Sequence, residues 1–112
     1  MKAISIQPDG AVADVELADF DDIRKSINGY VEAIASRDGR VMFWCNEDGG
    51  PLGLAANGLA TALWWRLDPR APRHTRLVGP VVITGAMSDD DDGGEIADVP
   101  TVITELMAAY RK

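Results

Sequence analysis

The side chains able to do chemistry in this chain fall into three groups, and the most concentrated is the run Ser88-Asp89-Asp90-Asp91-Asp92-Gly93-Gly94-Glu95. Hard cations take several carboxylate oxygens from one tight loop, so the run invites comparison with a calcium loop. With Gly93 at the sixth position of an EF-hand, Ser88, Asp90 and Asp92 stand at positions one, three and five. Val99 then stands at twelve, where a bidentate Glu belongs. The template fails at its strongest ligand. Adjacent like charges repel and favour an extended, solvated loop. Asp89, Asp90, Asp91 and Asp92 are kept as candidate contacts for a partner.

The second group is basic: Arg66, Arg70, Arg73, His74 and Arg76 follow directly on Trp64 and Trp65. Guanidinium groups beside aromatics can hold a phosphate or stack on a base. Against this, Pro69 and Pro72 forbid a regular helix and suit an exposed connector, for whose arginines the acidic run is an available internal partner. Two adjacent tryptophans on one helix cannot both point inward. One is therefore expected at the surface, where an indole makes a good contact anchor. Trp64, Trp65, Arg70 and Arg73 join the four aspartates as the candidate partner-binding set.

The third group is amidic. Asn57 is placed to cap a helix, and as part of Asn57-Gly58-Leu59-Ala60-Thr61 facing Asn46 it could also line a small polar pocket. Capping is the simpler role. Catalysis finds little support: none of Ser5, Ser26, Ser36 or Ser88 stands in a nucleophile-elbow context, and His74 lies in a proline-broken loop among arginines. Gly49-Gly50-Pro51-Leu52-Gly53 lacks both the dinucleotide fingerprint and the Lys-Ser/Thr of a P-loop. Cys45, the one cysteine, lies in the apolar run Val41-Met42-Phe43-Trp44-Cys45 and reads as a buried small hydrophobe. One Cys and one His cannot make a Cys/His zinc site. No catalytic residue, metal or cofactor is expected.

Composition bounds what must position these groups. At 112 residues the chain reads as a single domain over 1–112, and 46% hydrophobic with 26% charged residues is the balance of a globular protein. A formal net charge of −7 disfavours direct binding to nucleic acid or an anionic membrane. No apolar run approaches the roughly 20 residues that span a bilayer, and the N-terminus lacks a signal-peptide layout. A cytoplasmic location is the expectation. Charge is uneven: six acids against one base from Lys2 to Asp22, six acids and no base from Ser88 to Asp98, and four arginines against Asp68 from Arg66 to Arg76.

Segments 3–7 and 11–17 flank Pro8-Asp9-Gly10 and read as a β-hairpin. Asp19 caps a helix with Phe20, Ile23 and Ile27 on one face, closed by Gly29. Segments 30–35 and 40–46 around Asp38-Gly39 make a second hairpin, expected at the centre of the sheet. After Asn57 comes a helix over 58–65, apolar almost all round and so mostly buried. Val81-Val82-Ile83-Thr84 is a β-branched strand suited to burial on both faces. Asp98, with Pro100 in the first turn, starts a last helix in which Val102, Ile103, Leu106, Met107 and Tyr110 share a face. The fold class is α+β, a mainly antiparallel sheet in the order ββαββαβα with helices packed against it.

These pieces, in this order, resemble a known family. The resemblance is carried by Met1-Lys2-Ala3-Ile4, Pro8-Asp9-Gly10, Val15-Glu16-Leu17 and Gly29-Tyr30-Val31-Glu32. It continues through Asn46-Glu47-Asp48-Gly49, Leu52-Gly53-Leu54, the run from Asn57 to Leu63, the run from Val78 to Gly85, and Asp98-Val99-Pro100. The chain resembles DUF3846, a family of small bacterial and phage proteins of unknown function. The resemblance implies no established catalytic residue or cofactor, and a habitat of phages, prophages and plasmids. Segments 66–76 and 89–92 fit it least. By elimination, together with the habitat that the resemblance implies, the expected function is that of a small cytoplasmic, mobile-element-type module that binds a protein of the host. An acidic DNA-mimic inhibitor of a DNA-binding or restriction protein is the alternative, and a small-ligand protein a third reading. Self-association through an edge strand or the apolar helix is an open route to a homodimer.

Overall fold

The computed structural model describes residues 1–88 and 95–110. Its elements are β1 (Lys2–Ile6), β2 (Val12–Glu16), α1 (Phe20–Ile27), β3 (Val31–Ala35), β4 (Val41–Asn46), α2 (Gly58–Leu67), β5 (Val81–Gly85) and α3 (Thr101–Met107). A 3₁₀ turn, Ala108–Tyr110, extends α3. The order is ββαββαβα, and the five strands lie as β2-β1-β5-β4-β3 with every neighbouring pair antiparallel. The fold is α+β, as the pattern of elements predicts.

The centre of the sheet differs from expectation. β5 takes the middle, between β1 and β4, while β3 forms an edge. All five residues of β5 are buried, and β-branched side chains on both faces suit that place. Strand alternation then divides the core in two. Ile4, Ile6, Phe43, Val81 and Ile83 pack with Leu63 and Trp64 of α2 and with Ile103 and Met107 of α3. On the other face Ala3, Met42, Trp44 and Val82 pack with Ile23 and Ile27 of α1.

Helix ends show where local signals were read correctly and where tertiary pairing overrode them. Asp19 caps α1 by accepting the Asp22 N–H at 3.1 Å, and Asp22 in turn accepts the Ala18 N–H at 2.8 Å. The helix closes one residue before Gly29, on Asn28, whose φ of 61° is a left-handed conformation that Asn tolerates. Gly29 serves close approach instead: a Cβ there would lie 2.7 Å from Asn46 Nδ2. Asp98 is not the cap of α3. Its carboxylate accepts the Lys2 N–H at 2.7 Å, while Val99 N–H donates to Lys2 O, so this segment is tied to the start of β1. Pro100 takes the cap position without a side-chain bond. Of the expected α3 face, Ile103 and Met107 are buried and Leu106 is partly so, whereas Val102 and Tyr110 are exposed. Tyr110 falls in the 3₁₀ turn, where the tighter winding moves it off the α-helical phase.

The junction that holds the layers together is Asn57, which is fully buried. Its Oδ1 accepts the Ala60 N–H at 3.2 Å and so caps α2. Its Nδ2 donates to Ile6 O of β1 and to Gly79 O before β5, both at 2.9 Å. Thr61, one turn on, donates to Asn57 O at 2.7 Å and accepts the Leu77 N–H at 3.0 Å.

Two consequences are measurable. Asn57→Ala takes a hydrogen bond from each of two buried carbonyls and one buried N–H, at about 1 kcal/mol or more for each bond. Urea denaturation is expected to show a loss of at least about 3 kcal/mol on that scale, against a few tenths for the exposed change Ala62→Ser. Gly85 is the second point of constraint, because a Cβ there would lie 2.2 Å from Asp98 O. Gly85→Ala is expected to cost about 1–3 kcal/mol by overpacking, read in the same assay.

Candidate functional site

Three separated pieces of chain meet beside the N-terminal end of α1. Ala86 O accepts the Ala97 N–H, Met87 and Ile96 form a bridge, and Ser88 accepts the Glu95 N–H through Oγ at 2.8 Å. These contacts hold segments 86–88 and 95–97 side by side. Between them and residues 18–20 lies a groove of about 710 Å³ lined by Met1, Phe20, Met87 and Ile96 together with the carboxylate residues Asp19, Glu95 and Asp98. Phe20 is 46% exposed and Met87 45% exposed.

Phe20 was expected inside with Ile23 and Ile27, but as the first residue of α1 it reaches only the margin of the sheet. There it meets Trp44 edge-on, with ring centroids 5.8 Å apart. Among the described residues the lining carries no Lys, Arg or His side chain, and the N-terminal ammonium of Met1 is engaged by Glu16 at 3.2 Å and by Leu17 O. The groove therefore joins exposed apolar surface to negative charge. Sequence reasoning missed it because no local pattern links residues 20 and 87; the one available signal is an aromatic residue flanked by Asp19, Asp21 and Asp22.

The expected partner-binding residues are not brought together. Trp64 is in the core at 5% exposure and presents no anchor. Trp65 is the half-buried member of the pair, and it is not bare either: the Arg73 guanidinium lies 5.3 Å and that of Arg76 5.8 Å from its ring centroid. Such stacking lets arginine cover an indole while its N–H groups face water. No ion pair among those described involves Arg66, Arg70, Arg73 or Arg76. Arg70 is exposed and its backbone N–H bonds Asp68 at 3.1 Å. Asp89, Asp90, Asp91 and Asp92 lie outside the described residues, so the calcium-loop comparison lies outside them as well.

Asn46 and Asn57 do not share a pocket. Strand parity puts Asn46 on the α1 side with Met42 and Trp44, whereas Asn57 caps α2 on the opposite side. Both polar ends of the Asn57 amide are bonded, and Asn46 Oδ1 accepts the Asp48 N–H at 2.8 Å. Among the described residues, no group of three or more His, Cys, Asp or Glu is placed to hold a metal ion, and no helix is long and apolar enough to cross a membrane.

Cys45 is buried, with its thiol 3.7 Å from Glu32 O. Burial, aided by the Glu32 carboxylate, pushes the thiol up to about 11. Because the folded value exceeds that of a free thiol, about 8.5, the stability tied to the protonated thiol is intact below that pH and is lost as pH rises toward 11. A thiol-disulfide reagent at pH 8 is expected to label native protein at least tenfold more slowly than urea-unfolded protein. Cys45→Ala is expected to flatten the decline of stability above about pH 8.5.

Known proteins supply one point of reference. No match to this chain was found among curated proteins or among solved structures. The family model for a domain of unknown function, DUF3846, matches residues 1–111. Nearly the whole fold described above is therefore the fold of one family unit, and the chain belongs to the DUF3846 family.

Proposed function

We propose that this chain is a protein-binding module, and that its docking site is the groove between α1 and segments 86–88 and 95–98. The single observation that carries the reading is the pairing of two exposed apolar side chains, Phe20 and Met87, in a groove that also holds Asp19, Glu95 and Asp98. Apolar surface of this kind supplies affinity when water leaves it. Carboxylates around it select a positively charged partner and steer its approach, and a net charge of −7 acts in the same direction at longer range. The partner is thus a protein segment with a Lys or Arg beside an apolar side chain. On the phage and plasmid habitat expected from the sequence resemblance, we take that partner to be a protein of the host, met in its cytoplasm. The module is not an enzyme in this reading and uses no cofactor.

The DNA-mimic reading asks for a row of carboxylates left open to a DNA-binding groove. Several described acids outside the groove are committed locally instead: Asp21 to Arg24 and Lys25, Asp38 to Ser36 and the Arg40 N–H, and Asp22 to the Ala18 N–H. That distribution favours the groove.

Selection of displayed random peptides on the intact chain tests the proposal. Enrichment of basic residues next to an aliphatic or aromatic residue is expected. The double change Phe20→Ser with Met87→Ser is expected to weaken the selected peptides at least about tenfold, or 1.4 kcal/mol. Glu95→Gln is expected to reduce mainly the salt-sensitive part of binding. Selected peptides that bind the double variant as tightly as the parent would place the site elsewhere.

A further inference from the structure

We infer that β3 is a self-complementary edge that pairs antiparallel with β3 of a second copy of this chain, joining two five-stranded sheets into one. The inference rests on backbone geometry and is independent of the groove, none of whose lining residues lies on β3.

The pairing of β3 with β4 fixes which backbone groups face outward. Tyr30 O accepts the Glu47 N–H at 2.9 Å, and the Ser36 N–H donates to Val41 O at 2.8 Å, so the even-numbered positions from 30 to 36 turn their backbone groups toward β4. Val31, Ala33 and Ala35 therefore turn N–H and C=O away from the sheet. The register of β3 against β4 is unbroken from Val31 opposite Asn46 to Ala35 opposite Met42, so no bulge twists this edge away. Neither Pro nor Lys stands in the strand. Ala33 and Ala35 are exposed, and their small side chains leave the approach open. Of the usual guards on an edge strand only one charge, Glu32, is present.

Register decides how two such edges meet. A two-fold axis at Ala33 sets Ala33 opposite Ala33 and Val31 opposite Ala35, so the outward positions of both copies exchange N–H···O=C bonds in register. Glu32 then falls opposite Ile34 of the second copy rather than opposite another Glu32. A slip of two residues one way brings Glu32 against Glu32. The slip the other way pairs Val31 with Arg37, beyond the end of the strand. One register therefore combines the full set of backbone bonds with no facing like charges. Tyr30, 74% exposed in the single chain, falls opposite Ser36 of the second copy.

The other edge gives the contrast. The Leu17 N–H donates to Met1 O and the Gln7 N–H to Ala11 O, so odd-numbered positions of β2 face β1 and the outward positions are Val12, Asp14 and Glu16. A two-fold axis there sets Asp14 against Asp14. Facing carboxylates guard β2, whereas β3 is complementary to its own sequence. That difference selects a second copy as the occupant of β3.

Sedimentation velocity on the full chain, from about 1 µM to about 1 mM so as to span weak and strong association, is the test. A concentration-dependent rise from the monomer mass of 12.0 kDa to twice that mass is expected. Ala33→Pro removes an outward N–H that has no role inside the monomer, and is expected to leave a folded monomer by circular dichroism. Ala33→Asp keeps the N–H and sets two carboxylates face to face. It is expected to weaken the dimer at least tenfold, and it decides the matter should the proline variant unfold. Asp14→Asn, on the opposite edge of the sheet, is expected not to weaken the β3 dimer. A chain that stays monomeric at the highest concentration, or a dimer that survives Ala33→Asp with its dissociation constant unchanged, overturns the inference.

Discussion

One buried amide fixes how the layers of this molecule meet. Asn57 carries one acceptor and two donor N–H groups, and all are used: the acceptor holds the first turn of α2, and the donors reach Ile6 O of β1 and Gly79 O ahead of β5. In a dry environment each of these bonds has no water to replace it, so the amide defines one position for the helix along the sheet. The same junction sets where the chain re-enters the sheet. Asn57 N–H and Leu77 O, Ala56 and Val78, and Thr61 and Leu77 form short cross-links on successive residues, and β5 begins three residues beyond the last of them. The central strand is thus delivered between β1 and β4 by a helix cap.

That arrangement explains which parts of the fold were legible in the sequence. Both hairpins turn on local chemistry, Pro8-Asp9-Gly10 and Asp38-Gly39, and in each Gly10 or Gly39 adopts the positive φ that the motif requires. The caps Asp19 and Asn57 are likewise decided within four residues. The place of β5 is not. It depends on pairing residues 81–85 with residues 2–6 and 41–46, and no spacing in the sequence encodes which distant strand is met first. Asp98 shows the same limit at a single residue: it has the type and position of a cap, but the Lys2 N–H at the edge of β1 offered its carboxylate a stronger claim.

The groove was less legible than the fold, for a related reason. Phe20, Met87 and Ile96 come from three places in the chain and have nothing in common before folding except apolar character. The residues that looked functional in sequence were conspicuous through clustering, and clustering has its own structural outlets. Trp64 follows helical periodicity into the core; Trp65 faces outward far enough to be covered by Arg73 and Arg76. The arginines of that loop thereby gain aromatic partners without a described ion pair.

Charge placement links the groove to the two edges of the sheet. A carboxylate on a strand edge or beside an apolar groove does different work depending on what it faces. On β2, Asp14 stands where a second copy would bring an identical charge, so it discourages sheet extension. In the groove, Asp19, Glu95 and Asp98 stand beside exposed Phe20 and Met87, where acidic surroundings discourage contact with the protein's own acidic surface and favour a cationic one. β3 has neither arrangement: its one charge falls opposite an isoleucine under two-fold symmetry. An acidic protein of this size gains solubility from its net charge of −7 at the cost of self-repulsion. Local pairing such as that of Asp21 with Arg24 and Lys25 on α1 reduces that repulsion without removing the negative field around the groove. The field is therefore shaped as much by which acids are paired as by how many there are.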